Sequence, residues 1–128
     1  MSHHFSVVER MKSFAFAFRG VAITVQSQHN AWVHAVVTVV VLGLGAYVDL
    51  EKGDWLWLIT AITLVWAMET LNTAIERLAD AAVPEIHPLI GQAKDAAAGA
   101  VLIAVLGSAV IGLLVLGPPL LDKLFPGS

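Results

Sequence analysis

The segment Glu69-Thr-Leu-Asn-Thr-Ala-Ile-Glu-Arg-Leu-Ala-Asp80 carries the strongest chemical signal in the chain. On a helix each residue advances about 100°, so Asn72, Thr73, Glu76 and Asp80 all return close to the azimuth of Glu69. They form one polar stripe about three turns long, while Ile75 and Leu78 point elsewhere. Carboxylates stacked on one face repel one another, and a bound cation removes that repulsion. Oxygen ligands of this kind suit Mg²⁺, which keeps several waters and shares its shell with phosphates. Asn72 and Thr73 taken alone serve equally well as interhelical hydrogen-bonding groups that fix packing.

A second cluster, Glu85-Ile-His-Pro-Leu-Ile-Gly-Gln-Ala-Lys-Asp95, reads as a connection. Lys94 offers a point charge to phosphate, or an anchor at a membrane surface. Asp95 stands just before an Ala-rich helix and is placed to be its N-cap. His87, before Pro88, reads by itself as a loop residue. What joins the three to the stripe is position, on the membrane side of its lower end.

Composition names the scaffold. The chain has 128 residues, of which 58% are hydrophobic and 13% charged, with mean hydropathy +0.80. Soluble domains carry roughly 45–50% apolar and about 25% charged residues. A chain this short has too little interior to hide the excess, which excludes a soluble enzyme; the same excess excludes disorder. Three runs, 31–50, 55–80 and 96–121, are each long enough to cross a membrane, which takes about 20 residues. The expected fold is a single all-α membrane domain, 1–128, with three transmembrane helices and an N-terminal amphipathic surface helix over 5–28. In that helix Val7, Met11, Phe14, Phe18, Val21 and Val25 make one stripe at spacings of three and four. Such a helix lies in the interface plane; the alternative is a helix packed on the bundle.

Arg10, Lys12, Arg19, Arg77 and Lys94 share one side of this topology, against Lys52 and Lys123 on the other. The excess places the N-terminus and the second connection in the cytoplasm. Counting inward from Trp55, Glu69 falls roughly 7 Å inside the hydrocarbon edge and Glu76 just outside it. An ionisable residue at such depth marks a functional site. Gly117, Pro118 and Pro119 are expected to end or kink the third span. Ala96, Ala100, Ala104, Ser108 and Gly112, spaced by four, form a ridge for close helix packing.

Other classes have little support. The net charge is -3 and no basic patch is available, so nucleic acid is not an expected partner. There is no cysteine, and no GxxxxGK[ST] phosphate loop. Residues 1–6 lack the basic start of a signal peptide; His3 and His4 are given no weight.

The block Glu69-x-x-Asn72-Thr73-Ala74-Ile75-Glu76, with Asp80 and then Lys94-Asp95 before a small-residue helix, resembles the prokaryotic integral-membrane diacylglycerol kinase and undecaprenol kinase family. The resemblance runs from about Arg10 to Pro118 and includes the Phe-rich helix ending Arg19-Gly20. It implies a homotrimer in the bacterial inner membrane, with composite sites at the cytoplasmic interface between subunits. It implies transfer of the ATP γ-phosphoryl to the hydroxyl of a membrane lipid alcohol, with Mg²⁺. By position, Glu69 looks like the general base and Asn72 a supporting group. Glu76 looks like a ligand of ATP-bound Mg²⁺. Lys94, Asp95, Glu85 and His87 look like the nucleotide-binding set. Three positions depart from the family pattern. Gln28 stands where a metal-binding glutamate is usual. Phe16 replaces an aromatic hydroxyl near the nucleotide. Glu9 replaces a lipid-site arginine, with Arg10 adjacent. Asn30-x-x-x-His34 and His87-Pro88-Leu89 look more like the undecaprenol kinase branch.

Two rival classes remain at this stage. A proton-coupled transporter needs a polar path to both faces, yet the upper half of the second span offers only Thr60 and Thr63. A non-catalytic membrane adaptor would be a relative weakened by Gln28.

Overall fold

A computed structural model of the chain describes residues 6–127. His3, His4 and Phe5, where the surface helix was expected to begin, lie outside the described residues. Four helices follow one another: α1 (Val7–Ser27), α2 (His29–Tyr47), α3 (Lys52–Ala82) and α4 (Pro88–Leu124). The last three are long and apolar enough to cross a membrane. At 1.5 Å per residue α2 is about 28 Å long, matched to a hydrocarbon core of about 30 Å. Helices α3 and α4, about 46 and 55 Å, overrun it.

Local sequence explains where the helices start and stop. Ser6 caps α1, its Oγ accepting from the backbone N–H of Glu9 at 3.3 Å. Gln28 is both the C-cap of α1 and the N-cap of α2, with extended φ, ψ of -105° and 121°. One non-helical residue therefore separates the two. Helix α2 stops at Tyr47, and the turn after it carries Asp49 at φ 53°. The ammonium of Lys123, near the end of α4, donates to the Tyr47 carbonyl and lies 4.2 Å from the Tyr47 ring centroid.

The second connection is only residues 83–87. It is closed by His87, whose Nδ1 accepts from Leu89 N–H at 3.1 Å, with Pro88 as the first helical residue. This corrects two expectations. His87, not Asp95, is the N-cap, and Lys94 and Asp95 sit inside α4 instead of in a loop. The helix also continues through Pro118 and Pro119 to Leu124 instead of ending there.

The stripe of α1 turns away from the rest of the chain. Met11, Phe14 and Phe18 are about two-thirds or more exposed, and Thr24 alone is buried on this helix. The apolar stripe is thus not packed on the chain's own helices, although the end of α1 meets α2 and α3, and a face of this kind fits the plane of a membrane interface.

Helices α3 and α4 make the main helix–helix seam. Its buried line on α4 is Ala97, Val101 and Ala104, continued by half-buried Ser108, whose hydroxyl donates to the Ala61 carbonyl at 3.1 Å. The expected ridge is only partly right: Ala96 is exposed. Steps of four advance about 40° per step around the helix, so a strict spacing of four rotates off the seam. The observed steps of four and three hold it.

At the other end Gly45 is buried against Trp55. A Cβ there would lie 2.8 Å from Trp55 Cη2 and 3.1 Å from Leu50 Cδ1, whereas one on Gly43 would meet nothing within 4 Å. Gly45→Ala should therefore destabilise the protein in detergent, by about 1–3 kcal/mol, the usual cost of overpacking. Gly43→Ala should be neutral or slightly stabilising. Thermal unfolding of both variants checks this pair; equal midpoints would remove the Trp55 contact from the packing account.

Candidate functional site

The polar stripe of α3 forms a ladder that passes from buried to exposed. Glu69, Asn72 and Thr73 are buried, Glu76 is half-buried and Asp80 is exposed. Glu69, Glu76 and Asp80 each meet a partner from another part of the chain, so the stripe ties α3 to α2, to the α1–α2 joint and to α4.

At the deepest rung Glu69 is 1% exposed. Its Oε2 lies 3.2 Å from His34 Nε2 on α2. Thr73 hydrogen-bonds back to the Glu69 backbone carbonyl at 2.9 Å, which satisfies a hydroxyl inside the helix pair. One turn on, Gln28 Nε2 donates to Glu76 Oε2 at 2.7 Å, and Asn72 Nδ2 makes a long 3.5 Å contact with Glu76 Oε1. Gln28 reaches Glu76 because its side chain makes no cap hydrogen bond to α2. At the exposed end Lys94 Nζ pairs with Asp80 Oδ1 at 2.8 Å, joining the end of α3 to the start of α4. Both partners are over a third exposed, so the pair is worth little, about 0–1 kcal/mol, and exchanges readily.

One atom stands out. Asn72 Oδ1 is buried and has no hydrogen-bond partner. A buried carbonyl left unpaired costs about 1–3 kcal/mol, and such an atom in a native structure points to a water or an ion. Together with the Glu76 carboxylate and the carbonyl end of Gln28 it makes an all-oxygen donor set, the kind a hard cation takes. The residues present thus fit Mg²⁺, although Gln28 now turns its amide N–H toward Glu76. No cluster of three His, Asp or Glu suited to a metal occurs among the described residues, so phosphate and water oxygens must complete any shell.

The structure brings Gln28, Glu69, Asn72 and Glu76 together, with Asp80 and Lys94 below them. Other expected members stay apart within one chain. Glu85 lies exposed in the connection, His87 caps α4, and Asp95 is exposed on α4. Arg10 and Phe16 are exposed on α1, about 27 and 18 Å along the helix axis from Gln28. The guanidinium of Arg19 lies 5.5 Å over the Phe16 ring. The residue not assigned from sequence is His34. It was noted only within Asn30-x-x-x-His34; the usable signal was a basic imidazole inside an otherwise apolar span, which calls for a partner.

The chain matches the family described as prokaryotic diacylglycerol kinase over residues 15–116. It is 40% identical over 109 residues to the undecaprenol kinase of Bacillus subtilis, covering 85% of this chain and 89% of that protein. It is 37% identical over 111 residues to a diacylglycerol kinase of Synechocystis, covering 86% of this chain and 63% of that longer protein. Against the diacylglycerol kinase of Escherichia coli K12 the identity is 28% over 96 residues, covering 75% and 79%.

The unpaired Asn72 carbonyl gives a direct test. Millimolar Mg²⁺ should raise the unfolding midpoint of the protein in detergent, because a ligand that binds only the folded state stabilises it. Asn72→Leu should abolish most of that shift and leave the metal-free midpoint unchanged or higher, since it removes an unsatisfied group. An undiminished Mg²⁺ shift in Asn72→Leu would take this oxygen out of the cation site.

Proposed function

The chain belongs to the prokaryotic diacylglycerol kinase family and is a membrane lipid kinase, and from this premise we propose the detailed reaction and the roles of its residues. The reaction is transfer of the γ-phosphoryl of ATP to the hydroxyl of a membrane lipid alcohol. The acceptor we favour is undecaprenol over diacylglycerol; the 40% identity to a protein named undecaprenol kinase, against 37% and 28% to proteins named diacylglycerol kinase, supports that order.

The observation that carries the reading is the Glu69 carboxylate, buried in a membrane helix within about one to two turns of an oxygen-rich cluster. Glu69 takes the proton of the lipid hydroxyl as its oxygen attacks the γ-phosphorus. The bond from that phosphorus to the β,γ-bridging oxygen breaks, ADP leaves, and the proton stays on Glu69 until solvent removes it. Asn72 supports this by holding Glu76 from one turn away. Glu76, with Asn72 Oδ1 and the Gln28 carbonyl, would hold Mg²⁺. When bound, the ion supplies neutralisation of the phosphate charge that builds up during transfer. Because Gln28 brings no charge, Glu76 is the charged protein ligand that would retain the ion.

Lys94 exchanges its exposed partner Asp80 for a nucleotide phosphate. Asp95, Glu85 and His87 complete the nucleotide set, His87 through Nε2 because Nδ1 is spent on the cap. Arg10 and Phe16 belong to the same set, and their distance from Gln28 along α1 supports a homotrimer in which neighbouring chains complete each site. The Lys and Arg distribution supports a cytoplasmic N-terminus, in a bacterial inner membrane, where ATP is available to the lower stripe.

The experiment is transfer of label from γ-labelled ATP by the purified protein in mixed micelles, with undecaprenol and diacylglycerol offered separately and Mg²⁺ present. Label on undecaprenol in excess of diacylglycerol is expected. Glu69→Gln should lower turnover by about 10²–10⁴-fold, the usual contribution of a general base, with ATP binding retained. Near wild-type turnover in Glu69→Gln would remove it from the base role, and label on diacylglycerol alone would reverse the acceptor assignment. Gln28→Glu, which adds a carboxylate beside Glu76, should lower the Mg²⁺ concentration needed for half-maximal turnover; an unchanged requirement would separate position 28 from the metal.

A further inference from the structure

His34 is a buried titratable side chain that the reaction as proposed does not use. Its side chain is 14% exposed and its Nε2 lies 3.2 Å from Glu69 Oε2, whose side chain is 2% exposed. The base role needs Glu69 ionised, an ionised carboxylate only accepts hydrogen bonds, and in that state Nε2 carries the proton of this contact.

The ring is held in place from several directions. Its edge meets Trp66 of α3, with centroids 6.2 Å apart and planes at 72°. Trp66 Nε1 donates to Thr38 Oγ1 at 3.0 Å, and the Thr38 hydroxyl donates to the His34 backbone carbonyl at 2.6 Å. The indole and the Thr38 hydroxyl thus tie the His34 backbone across α2 and α3, and the imidazole, its ring against the indole, has Glu69 as its hydrogen-bond partner. His34 also lines two cavities, one of about 560 Å³ between α2, α3 and α4 and one of about 250 Å³ beside Asn30 and Val101. The larger is otherwise apolar, apart from Thr38 and Ser108, whose hydroxyls are committed to Trp66, His34 and Ala61. The polar end of that space is His34, with Glu69 behind it.

We propose that His34 is a positioning residue for the Glu69 carboxylate: its Nε2–H holds Oε2 and thereby fixes Oε1 in the orientation that receives the proton of the lipid hydroxyl. This rests on the base role of Glu69 proposed above. A carboxylate with one hydrogen-bonded oxygen has one rotamer about its terminal bond to offer, and a base displaced by about 1 Å loses on the order of a hundredfold in rate. Donation to a charged acceptor is also stronger than donation to a neutral one. The imidazole acts through Glu69 and needs no contact with the nucleotide.

The test is steady-state kinetics of purified full-length variants in mixed micelles, with the unfolding midpoint measured on each. His34→Leu removes the donor and keeps an apolar side chain against Trp66. It should lower kcat by about 10- to 100-fold, the range of a hydrogen bond to a charged group, and leave KM for MgATP unchanged. His34→Gln keeps an N–H donor of similar reach and should recover kcat to within about threefold of wild type. A purely structural role predicts that both variants fall together, with lowered midpoints; that result, or a His34→Leu enzyme with wild-type kcat, or a loss confined to KM for MgATP, overturns the proposal. If His34→Leu does not fold, His34→Gln and His34→Asn still decide. The shorter Asn amide should lose the activity that Gln retains, and equal activities would refute a donor at this reach. Glu69→Gln, run in parallel, separates the two readings. Turnover surviving in Glu69→Gln sinks the base role itself. An inactive Glu69→Gln beside a normal His34→Leu sinks only the positioning role. In the double variant His34→Leu should add nothing to Glu69→Gln, because both act on one carboxylate.

Discussion

Placing the Glu69 side chain where only 2% of its surface is accessible removes nearly all of its water. In a low-dielectric surrounding an ionisable group persists only with hydrogen-bond partners or an opposite charge close by. The chain provides His34 from the neighbouring helix, and the packing around that contact follows from it. Trp66 of α3 meets the imidazole and donates to Thr38 of α2, whose hydroxyl bonds the His34 backbone carbonyl, and Thr73 turns its hydroxyl back to the Glu69 carbonyl. A polar side chain in the middle of a helix pair thus becomes part of what registers α2 against α3, where few large apolar side chains are buried.

The Gln28 joint is the second constraint. Had α1 and α2 formed one continuous helix, position 28 would project as an ordinary helical residue. The single extended residue breaks the helical path between α1 and α2, and the Gln28 side-chain amide makes no cap hydrogen bond. The exposed apolar stripe of α1 and the contact from Gln28 to Glu76 are consequences of the same break. A surface helix in the interface plane and a polar group delivered to the head of the second span are geometrically linked, because the boundary between water and hydrocarbon is where both must sit. On the proposed reading, it is also where a lipid hydroxyl and a soluble nucleotide can meet.

Much of this was legible in the chain. Three apolar runs, one amphipathic stripe and the azimuths of Glu69, Asn72, Thr73, Glu76 and Asp80 follow from periodicity alone, and the structure has those helices and that stripe. The resemblance carried by the block from Glu69 to Glu76 agrees with the family match. What periodicity could not supply was partners across helices. Gln28 opposite Glu76 and His34 opposite Glu69 are separated by 48 and 35 residues, and no local rule sets such distances. The α4 start was misread for a different reason. Asp95 has the chemistry of a cap, but Pro88 pre-sets the helical φ earlier and His87 caps less commonly than Asp or Ser. The small-residue ridge failed in part because residues of the right size at spacing four still rotate away from a seam that needs three and four in alternation.

The ladder also sorts its interactions by how easily they are given up. Its deep end consists of buried, mutually braced contacts, whose loss leaves unsatisfied groups in hydrocarbon. Its shallow end is the exposed pair of Lys94 and Asp80, which water and salt already weaken. Between them lies Asn72 Oδ1, buried and unpaired, a group the single chain leaves incomplete. For a reaction that joins a membrane-bound acceptor to a polyphosphate, this order is the useful one. The base has to hold its orientation without solvent, whereas the phosphate contacts have to release a product on every turnover. Phosphoryl transfer asks for positioning and charge neutralisation more than for covalent chemistry, so on the proposed roles a 128-residue chain meets the first demand with one braced carboxylate. On the proposed roles, it meets the second with Lys94, whose exposed pairing with Asp80 is weak. Arg10 and Phe16, carried far along α1 from Gln28, cannot join that set along their own helix. On the proposed reading, that distance is what favours a neighbouring copy of the chain as the source of the remainder of the site.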